Sequence, residues 1–463
     1  MKKINGVTMN GNIVVDIDKD EDTVIIPEYT EGTTYQLPLN GIKCIQVSSL
    51  DLLCKFIGVP KTIILKLTEN SNQNNDVAFW QNSIEFNRIF ERPGLEQIVI
   101  LGNNNYYKTE DGILYSKDGR TLIKCPMGRT GNVVIQPGTE IIKNFAFKEC
   151  KISSVIFPDS LKRIGEKAFC DCQQLSNIDF GNGIKEIGSC IPSYTFQSCI
   201  SLEKISFPEQ IRSIGNSVFW NCSNLKEVNL NNGLVKIDAG AFSLCRKIKE
   251  IYIPASLKYI GHNNFTNVYD FYLSQVPNGF IQSITSALFT LNESSEKVNT
   301  VALHIEGEEK PVYIPKIVKT VDDASAKIYA AIKKHKPDDY ANMFNLSMWP
   351  ACMQDTALYT YLYSYSNKNV ELFLKENSRE LACRLLNLGR TKDLVDFIKT
   401  GLVADNVLDM LSIMIQNDSN TYDDISLSDN DKTIITAYIM EAKEKIRNQK
   451  EETLKLDKFS LPD

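Results

Sequence analysis

The chain has 463 residues, 43% of them hydrophobic, with 51 basic against 57 acidic side chains and a formal net charge of −6. At roughly 150 residues per domain this length predicts about three domains with ample core, and the acidic balance argues against a nucleic-acid binder, which carries a basic excess. No run approaches the ~18 consecutive apolar residues of a membrane span, and residues 1–20 lack the apolar core of about 7–15 residues that a secretion signal needs. As written, the sequence predicts a cytoplasmic protein with free cysteines; the alternative is a cell-surface or secreted protein whose signal has been removed.

In chain order, residues 1–102 read as an N-terminal cap of degenerate, β-rich repeats. Val24–Pro27 has the strand–Pro shape that recurs downstream, a helix is expected near Asn82–Glu91, and the polar run Glu69–Asp76 reads as a loop. Asp16, Asp18 and Asp20 alternate as at the start of an EF-hand loop. Glu21 stands where that loop requires glycine and Pro27 where it requires a bidentate glutamate, so the reading is a solvated turn without metal. Further on, Asp111-Gly112 and Asp118-Gly119 are hairpin turn signals around Ile113–Tyr115 and Thr121–Ile123.

The cysteines organise the next stretch. Twelve in 463 residues is far below the ~8–10% of a disulfide scaffold, and no CxxC pair or zinc spacing occurs. Instead Cys150, Cys172, Cys199, Cys222 and Cys245 follow one another at steps of 22, 27, 23 and 23. Aligning on them brings three apolar columns into register. These are Val155, Ile178, Ile205, Val228 and Ile251; then Ile164, Ile187, Ile214, Ile237 and Ile260; then Phe147, Phe169, Phe196, Phe219, Phe242 and Phe265. The copy from Asn177 carries four extra residues around Ile191–Tyr194, which accounts for the step of 27. One unit cannot bury its own Phe and Ile, whereas stacked units bury them in continuous ladders, so the period of 23 predicts a solenoid. Each cysteine reads as a small apolar side chain packed in a turn.

The recurring strand–Pro, Ile-Gly, Ala-Phe, Cys pattern resembles the BspA-like leucine-rich repeats over residues 103–265, and the segment Asn103–Phe147 is similar to that family's lead-in. Gly181 and Asn231 replace the strand Pro, and Asp238 replaces the Gly of Ile-Gly, departures that touch loops rather than core columns. The resemblance implies a non-enzymatic repeat used in adhesion or protein recognition, often at a cell surface.

Residues 266–315 are expected to form the C-terminal part of the solenoid or its cap. They include an alternating strand Thr300–Ile305 and a strand–Pro element Val312–Pro315. From 316 to 463 the pattern becomes helical. Asp322 is an N-cap candidate for Ala324–His335, and amphipathic runs follow at Thr356–Tyr365, Val370–Lys375, Arg379–Leu388, Lys392–Lys399, Asn406–Gln416 and Lys432–Arg447. Short links between them predict helical hairpins. The stretch from Cys383 is loosely similar to an ankyrin-like or other helical repeat, without the TPLHxA signature. The expected fold class is therefore α+β: a leucine-rich-repeat, β-rich, right-handed solenoid with irregular caps, then a separate all-α helical-hairpin domain.

Chemistry is sparse. His262 and His304 are expected on solvent faces and His335 at a helix C-terminus. No nucleotide-loop, HExxH or GxSxG motif appears, and no catalytic residue, metal or cofactor is expected. The candidate protein-binding face consists of outward strand positions: Ile156, Asp179, Lys204, Ser206, Glu227, Asn229, Glu250 and Tyr252, with Tyr252 as anchor beside Trp220 on a nearby turn. A second candidate is a basic ladder of Lys162, Lys185, Arg212 and Lys258, read either as side chains fanned into water or as a patch for an acidic partner. The leading expectation is a non-enzymatic scaffold binding a protein partner whose identity is not legible, as the oligomeric state is not. The alternative is a surface adhesin for host or matrix ligands; a regulatory or enzymatic role of the helical module comes third.

Overall fold

The computed structural model describes every residue except 19, 34–35, 40, 49, 54, 59, 67–89, 103–104, 188–192, 285–298, 417–426 and 460–463. Residues 82–89 of the expected helix, the Glu69–Asp76 loop, Cys54, Cys190 and part of the Ile191–Tyr194 insertion lie outside the described residues. A β-solenoid of about ten turns runs over residues 13–273 and is followed by helices. Two compact units divide the chain: Met1–Val268 with Pro277–Ile284, and Tyr269–Val276 with Thr285–Asp463.

The first unit opens with an antiparallel meander, Lys2–Ile4, Val7–Asn10 and Ile13–Ile17. Its first turn is Asn5-Gly6, both at positive φ, as a two-residue hairpin requires. The strand–Pro element at residue 24 then behaves as the repeats do: Thr23–Ile25, Cys44–Val47, Thr62–Lys66 and Gln97–Leu101 pair in parallel over a core that includes Val24, Ile45, Ile63 and Ile98. Both aspartate-glycine signals make hairpins, joining Tyr107–Glu110, Ile113–Ser116 and Thr121–Lys124.

From residue 130 each coil presents two short strands and a turn face. The first strands are Thr130–Val134, Lys151–Ile156, Asn177–Asp179, Lys204–Ser206, Glu227–Asn229 and Glu250–Ile253. The second strands carry the isoleucine column at Ile142, Ile164, Ile187, Ile214, Ile237 and Ile260, all buried. On the turn face the phenylalanine column stacks, with ring centroids at 4.6 Å for Phe147–Phe169, 5.1 Å for Phe169–Phe196, 5.3 Å for Phe196–Phe219 and 5.4 Å for Phe219–Phe242 and Phe242–Phe265. Each such ring contributes roughly 1.5–3 kcal/mol by burial. A second aromatic column that the alignment did not single out, Phe157, Phe180 and Phe207, packs against the first.

The cysteine column is more than filler. The Cys172 thiol donates to the Phe147 carbonyl at 3.0 Å, Cys199 to Phe169 at 3.3 Å, Cys222 to Phe196 at 3.3 Å and Cys245 to Phe219 at 3.1 Å. Each thiol thereby adds a second donor to a carbonyl of the preceding coil that already accepts a backbone N–H within its own turn. Burial pushes the thiols of Cys172, Cys199 and Cys245 well above their ordinary pKa. The turn face also places non-glycine residues in the left-handed region on both sides of four of the rings, such as Lys167 and Asp171, Tyr194 and Ser198, or Ser217 and Asn221. That conformation costs about 1–2 kcal/mol per residue. Coil-to-coil bonds offset it, for example Phe145 N–H to Glu166 O at 3.0 Å, Phe147 to Ala168 at 2.7 Å and Glu149 to Cys170 at 2.8 Å.

In the second unit the strand Thr300–Ile305 pairs in parallel with Asp270–Leu273 and antiparallel with Val312–Pro315. Thr300–Ile305 and Val312–Pro315 both fall in the same compact unit as the helices. An apolar pattern does not encode strand direction, so Val312–Pro315 looks like a coil strand yet runs the opposite way. The first helix is Val321–Lys334, and its N-cap is Thr320 rather than Asp322, which lies within the first turn and favours its positive end. Pro337–Ala341 and the 3-10 turn Asn342–Leu346 follow, too short for periodicity to reveal. Helices Pro350–Tyr363, Lys368–Glu376, Ser378–Asn387, Thr391–Lys399, Asp405–Gln416 and Asp429–Phe459 overlap the expected amphipathic runs, the first beginning earlier than Thr356 and the last extending beyond Arg447. Asn367 caps the second of these, its side-chain oxygen accepting from the amides of Asn369 and Val370. Leu358, Leu374, Leu381, Leu385, Phe397, Leu408 and Ile435 are among the residues of their common core.

Candidate functional site

Period-2 alternation in the first strands buries Val155, Ile178, Ile205, Val228 and Ile251 and turns the flanking residues outward. Pairing aligns Ser154 with Asn177, Ile156 with Asp179, Lys204 with Glu227 and Ser206 with Asn229. All eight candidate face residues are exposed, and Ile156 and Tyr252 reach 40% and 60%. Along the outward rows Lys204 pairs with Glu227 at 2.7 Å, and the Asn229 amide donates to Ser206 Oγ at 3.0 Å. An ion pair this exposed contributes little to stability, so these contacts order the surface without closing it. Trp220 belongs elsewhere: it sits on the turn face, edge-on to Tyr194 at 6.5 Å, and its carbonyl accepts from Ser198 N–H.

Three of the candidates converge. Ile156, Asp179 and Ser206 line a groove of about 650 Å³ together with Asp159, Asn177 and Asn182. Val134, 61% exposed, stands in register with Ile156 and extends its apolar surface. Sequence reasoning missed Val134, Asp159 and Asn182. The residue after the strand-closing position, Asp159, Asn182 and Glu209 in successive copies, was the available signal.

The basic ladder is exposed but partly engaged. Lys162 pairs with Glu140 at 2.9 Å and its hydrogen bond holds that carboxyl below the usual range. Arg212 donates to the Gly233 carbonyl at 2.8 Å. Backbone bonds carry the row from Lys185 through Arg212 and Val235 to Lys258 on successive coils. With two of its four cations bound locally, the row offers an anion less than its spacing suggests.

Among the histidines, His262 is exposed. His304 differs from expectation: it is half-buried, stacked on Tyr272 at 4.4 Å and within 3.0 Å of Asp270 Oδ1. A partner on a neighbouring strand, 34 residues away, is invisible to alternation. His335 closes its helix and meets Glu308 at 2.8 Å, a carboxylate that also accepts from Tyr340 and Tyr365. Asp18, in the superficially calcium-like run, pairs with Lys3.

The second unit holds a buried charge constellation that spacing did not reveal. Asp355, fully buried, accepts at Oδ1 from Arg384 at 2.6 Å and Arg390 at 2.8 Å, and at Oδ2 from the backbone and side-chain amides of Asn299 at 3.0 and 3.2 Å. Arg390 also binds Asp393, which accepts from Tyr359. Burial pushes the Asp355 carboxyl up, but the two guanidinium groups outweigh it and hold it below its ordinary value. With four donors on its two oxygens, this carboxylate is a clasp rather than an acid or base.

Residues 140–271 and 189–305 match the sequence model of the BspA type leucine rich repeat region, in six copies. The helical region has no such match. No curated protein matches the chain. Among solved structures it is similar to a leucine rich cell surface protein from Faecalibacterium prausnitzii, with 25% identity over 52% of this chain and 59% of that one and a TM-score of 0.32. A leucine-rich repeat protein from Eubacterium ventriosum aligns at 16% identity over 61% and 94%, with a TM-score of 0.35. The pneumococcal vaccine antigen PcpA aligns at 16% over 59% and 93%, with a TM-score of 0.32. The match thus spans less than two thirds of the Faecalibacterium chain. Among the described residues, no helix is long and apolar enough to cross a membrane.

Proposed function

We propose that this chain is a non-enzymatic recognition scaffold that binds a protein partner through the outward face of its first-strand rows. The observation that carries the reading is the row from Val134 and Ile156 through Asp179 and Ser206 to Tyr252. It is an exposed band of mixed polarity, held in fixed spacing by a stacked core, with apolar residues at both ends and a polar groove between. Transient protein interfaces have that composition, and solenoids present such extended surfaces. The test is capture from the native source by wild type, Ile156→Asp, Tyr252→Ala and, on the turn face, Lys148→Ala. A partner retained by wild type and Lys148→Ala but lost from the first two supports the reading; equal capture by all four moves the binding surface elsewhere.

The repeat type supports a second reading, an adhesin for host or matrix ligands. Protease treatment of intact cells separates the two, since an adhesin is degraded from outside and an internal scaffold is protected.

A further inference from the structure

The phenylalanine column has a member that is not a phenylalanine. Phe147 N–H bonds Ala168 O at 2.7 Å and Phe219 N–H bonds Ala241 O at 2.8 Å; one coil before Phe147, Cys125 N–H makes the same bond to Ala146 O at 2.8 Å. Cys125 lies 22 positions before Phe147, the step from Phe147 to Phe169, and so stands where the first ring of the stack would. In later coils the column thiol rests on the carbonyl of the ring residue one coil back, as Cys172 rests on Phe147. Cys150 approaches Cys125 O in the same way, at 3.8 Å, but the residue it approaches carries a thiol instead of a ring. The two thiols converge on one carbonyl, Pro126 O, Cys125 at 3.7 Å and Cys150 at 3.4 Å. Cys222 and Cys245 instead rest on separate carbonyls, those of Phe196 and Phe219.

We propose that Cys125 and Cys150 are a disulfide-forming pair, joined when the chain folds in oxidising surroundings, and that the bond staples the lead-in hairpin to the first full coil. Both cysteines are free in this structure. Filling the end of the stack would need only a small apolar side chain; a thiol set against a second thiol adds the capacity for a covalent bond. Formation needs a small disulfide such as oxidised glutathione as oxidant. One protein thiolate attacks a sulfur of that disulfide and releases a glutathione thiolate; the other then attacks the protein sulfur of the mixed disulfide and releases the second. Two protein thiols lose two protons and two electrons, and one small disulfide becomes two thiols. The folded pair is shielded, with Cys125 and Cys150 0% and 1% exposed. Burial, and after it the hydrogen bond with Cys150, push the Cys125 thiol well above its ordinary range. A thiol held protonated exchanges slowly, so the bond forms while the coils are open and is protected once they close.

The test is to hold the full chain in a glutathione redox buffer, with denaturant just below its unfolding midpoint so that coils open while the population stays folded. Free thiols are then alkylated and the peptides identified by mass spectrometry. The expected result is protection of two of the twelve thiols, a linked peptide pair joining Cys125 to Cys150, and a melting temperature higher by roughly 5 °C or more after the denaturant is removed. Dithiothreitol should reverse all three. Cys125→Ala, with its circular-dichroism spectrum checked against wild type, should leave every remaining thiol free. Cys222→Ala, which spares the pair, should oxidise as wild type does. Twelve free thiols after oxidation, a bond between any other two cysteines, or glutathione left attached to Cys125 or Cys150 as the end product would each overturn the pair.

Discussion

Along the solenoid, a buried polar group finds its partner one coil away: the Cys222 thiol reaches the Phe196 carbonyl, 26 positions back, and Cys245 reaches Phe219 across the same interval. In the second unit, Asp355 draws donors from 29, 35 and 56 positions away, on three separate segments. The first arrangement uses neutral groups and repeats with the period of the chain, so each contact is weak and replaceable. The second concentrates three charges at one point with no repetition. Buried charges are tolerated there only as a complete set, because removing one member leaves the others desolvated.

Breaking the set is the sharpest test of this contrast. Asp355→Ala strands Arg384 and Arg390 and should cost about 3–5 kcal/mol, the range for an orphaned buried charge, read as a fall in the denaturant midpoint of the helical circular-dichroism signal. Acid should act in the same direction. The two guanidinium groups hold the Asp355 carboxyl below the ordinary aspartate value in the folded protein, so the folded state binds fewer protons through that interval. Its stabilisation is complete above the unfolded value near 3.9 and is lost as pH falls through the depressed folded value. Asp355→Asn should lack that acid-dependent component; an identical acid transition in wild type and Asp355→Asn would remove the clasp from the account.

In the solenoid, Phe219→Ala should also cost about 3–5 kcal/mol, since it opens a cavity between two stacked rings. The loss should be graded by distance: hydrogen exchange should accelerate at the coils of Phe196 and Phe242 and change least at Phe147. Uniform acceleration would show that the coils do not behave as nearest neighbours. The smallest effect is expected at the thiol column. Cys222→Ala removes one hydrogen bond to a carbonyl and should cost about 1 kcal/mol, a shift of the melting temperature by a few degrees or less. A loss as large as that of Phe219→Ala would make the thiol row, rather than the rings, the main support of the turn face.

How legible each region was follows from the range of its contacts. The phenylalanine, isoleucine and cysteine columns could be read because the same environment recurs every 23 residues and selects the same residue type each time. The helices from residue 350 onward were readable from apolar spacing within each run. The left-handed residues of the turn face were not: Lys167, Tyr194 and Leu244 are residue types that rarely adopt positive φ, and coil-to-coil bonds impose it. The candidate face was named by alternation, but the convergence of Ile156, Asp179 and Ser206 with Asp159 on one groove depends on how three successive coils are set against one another.

By itself, then, the order of residues determined the repeating unit, its period, its buried columns and the change to helices near residue 320, because those properties depend on neighbours along the chain or one period away. Tertiary structure alone decided the antiparallel turn of Val312–Pro315, the partner of His304 and the closed set around Asp355. Each of these joins segments whose separation follows no period, and the free energy that selects them arises only once distant side chains share the same buried volume.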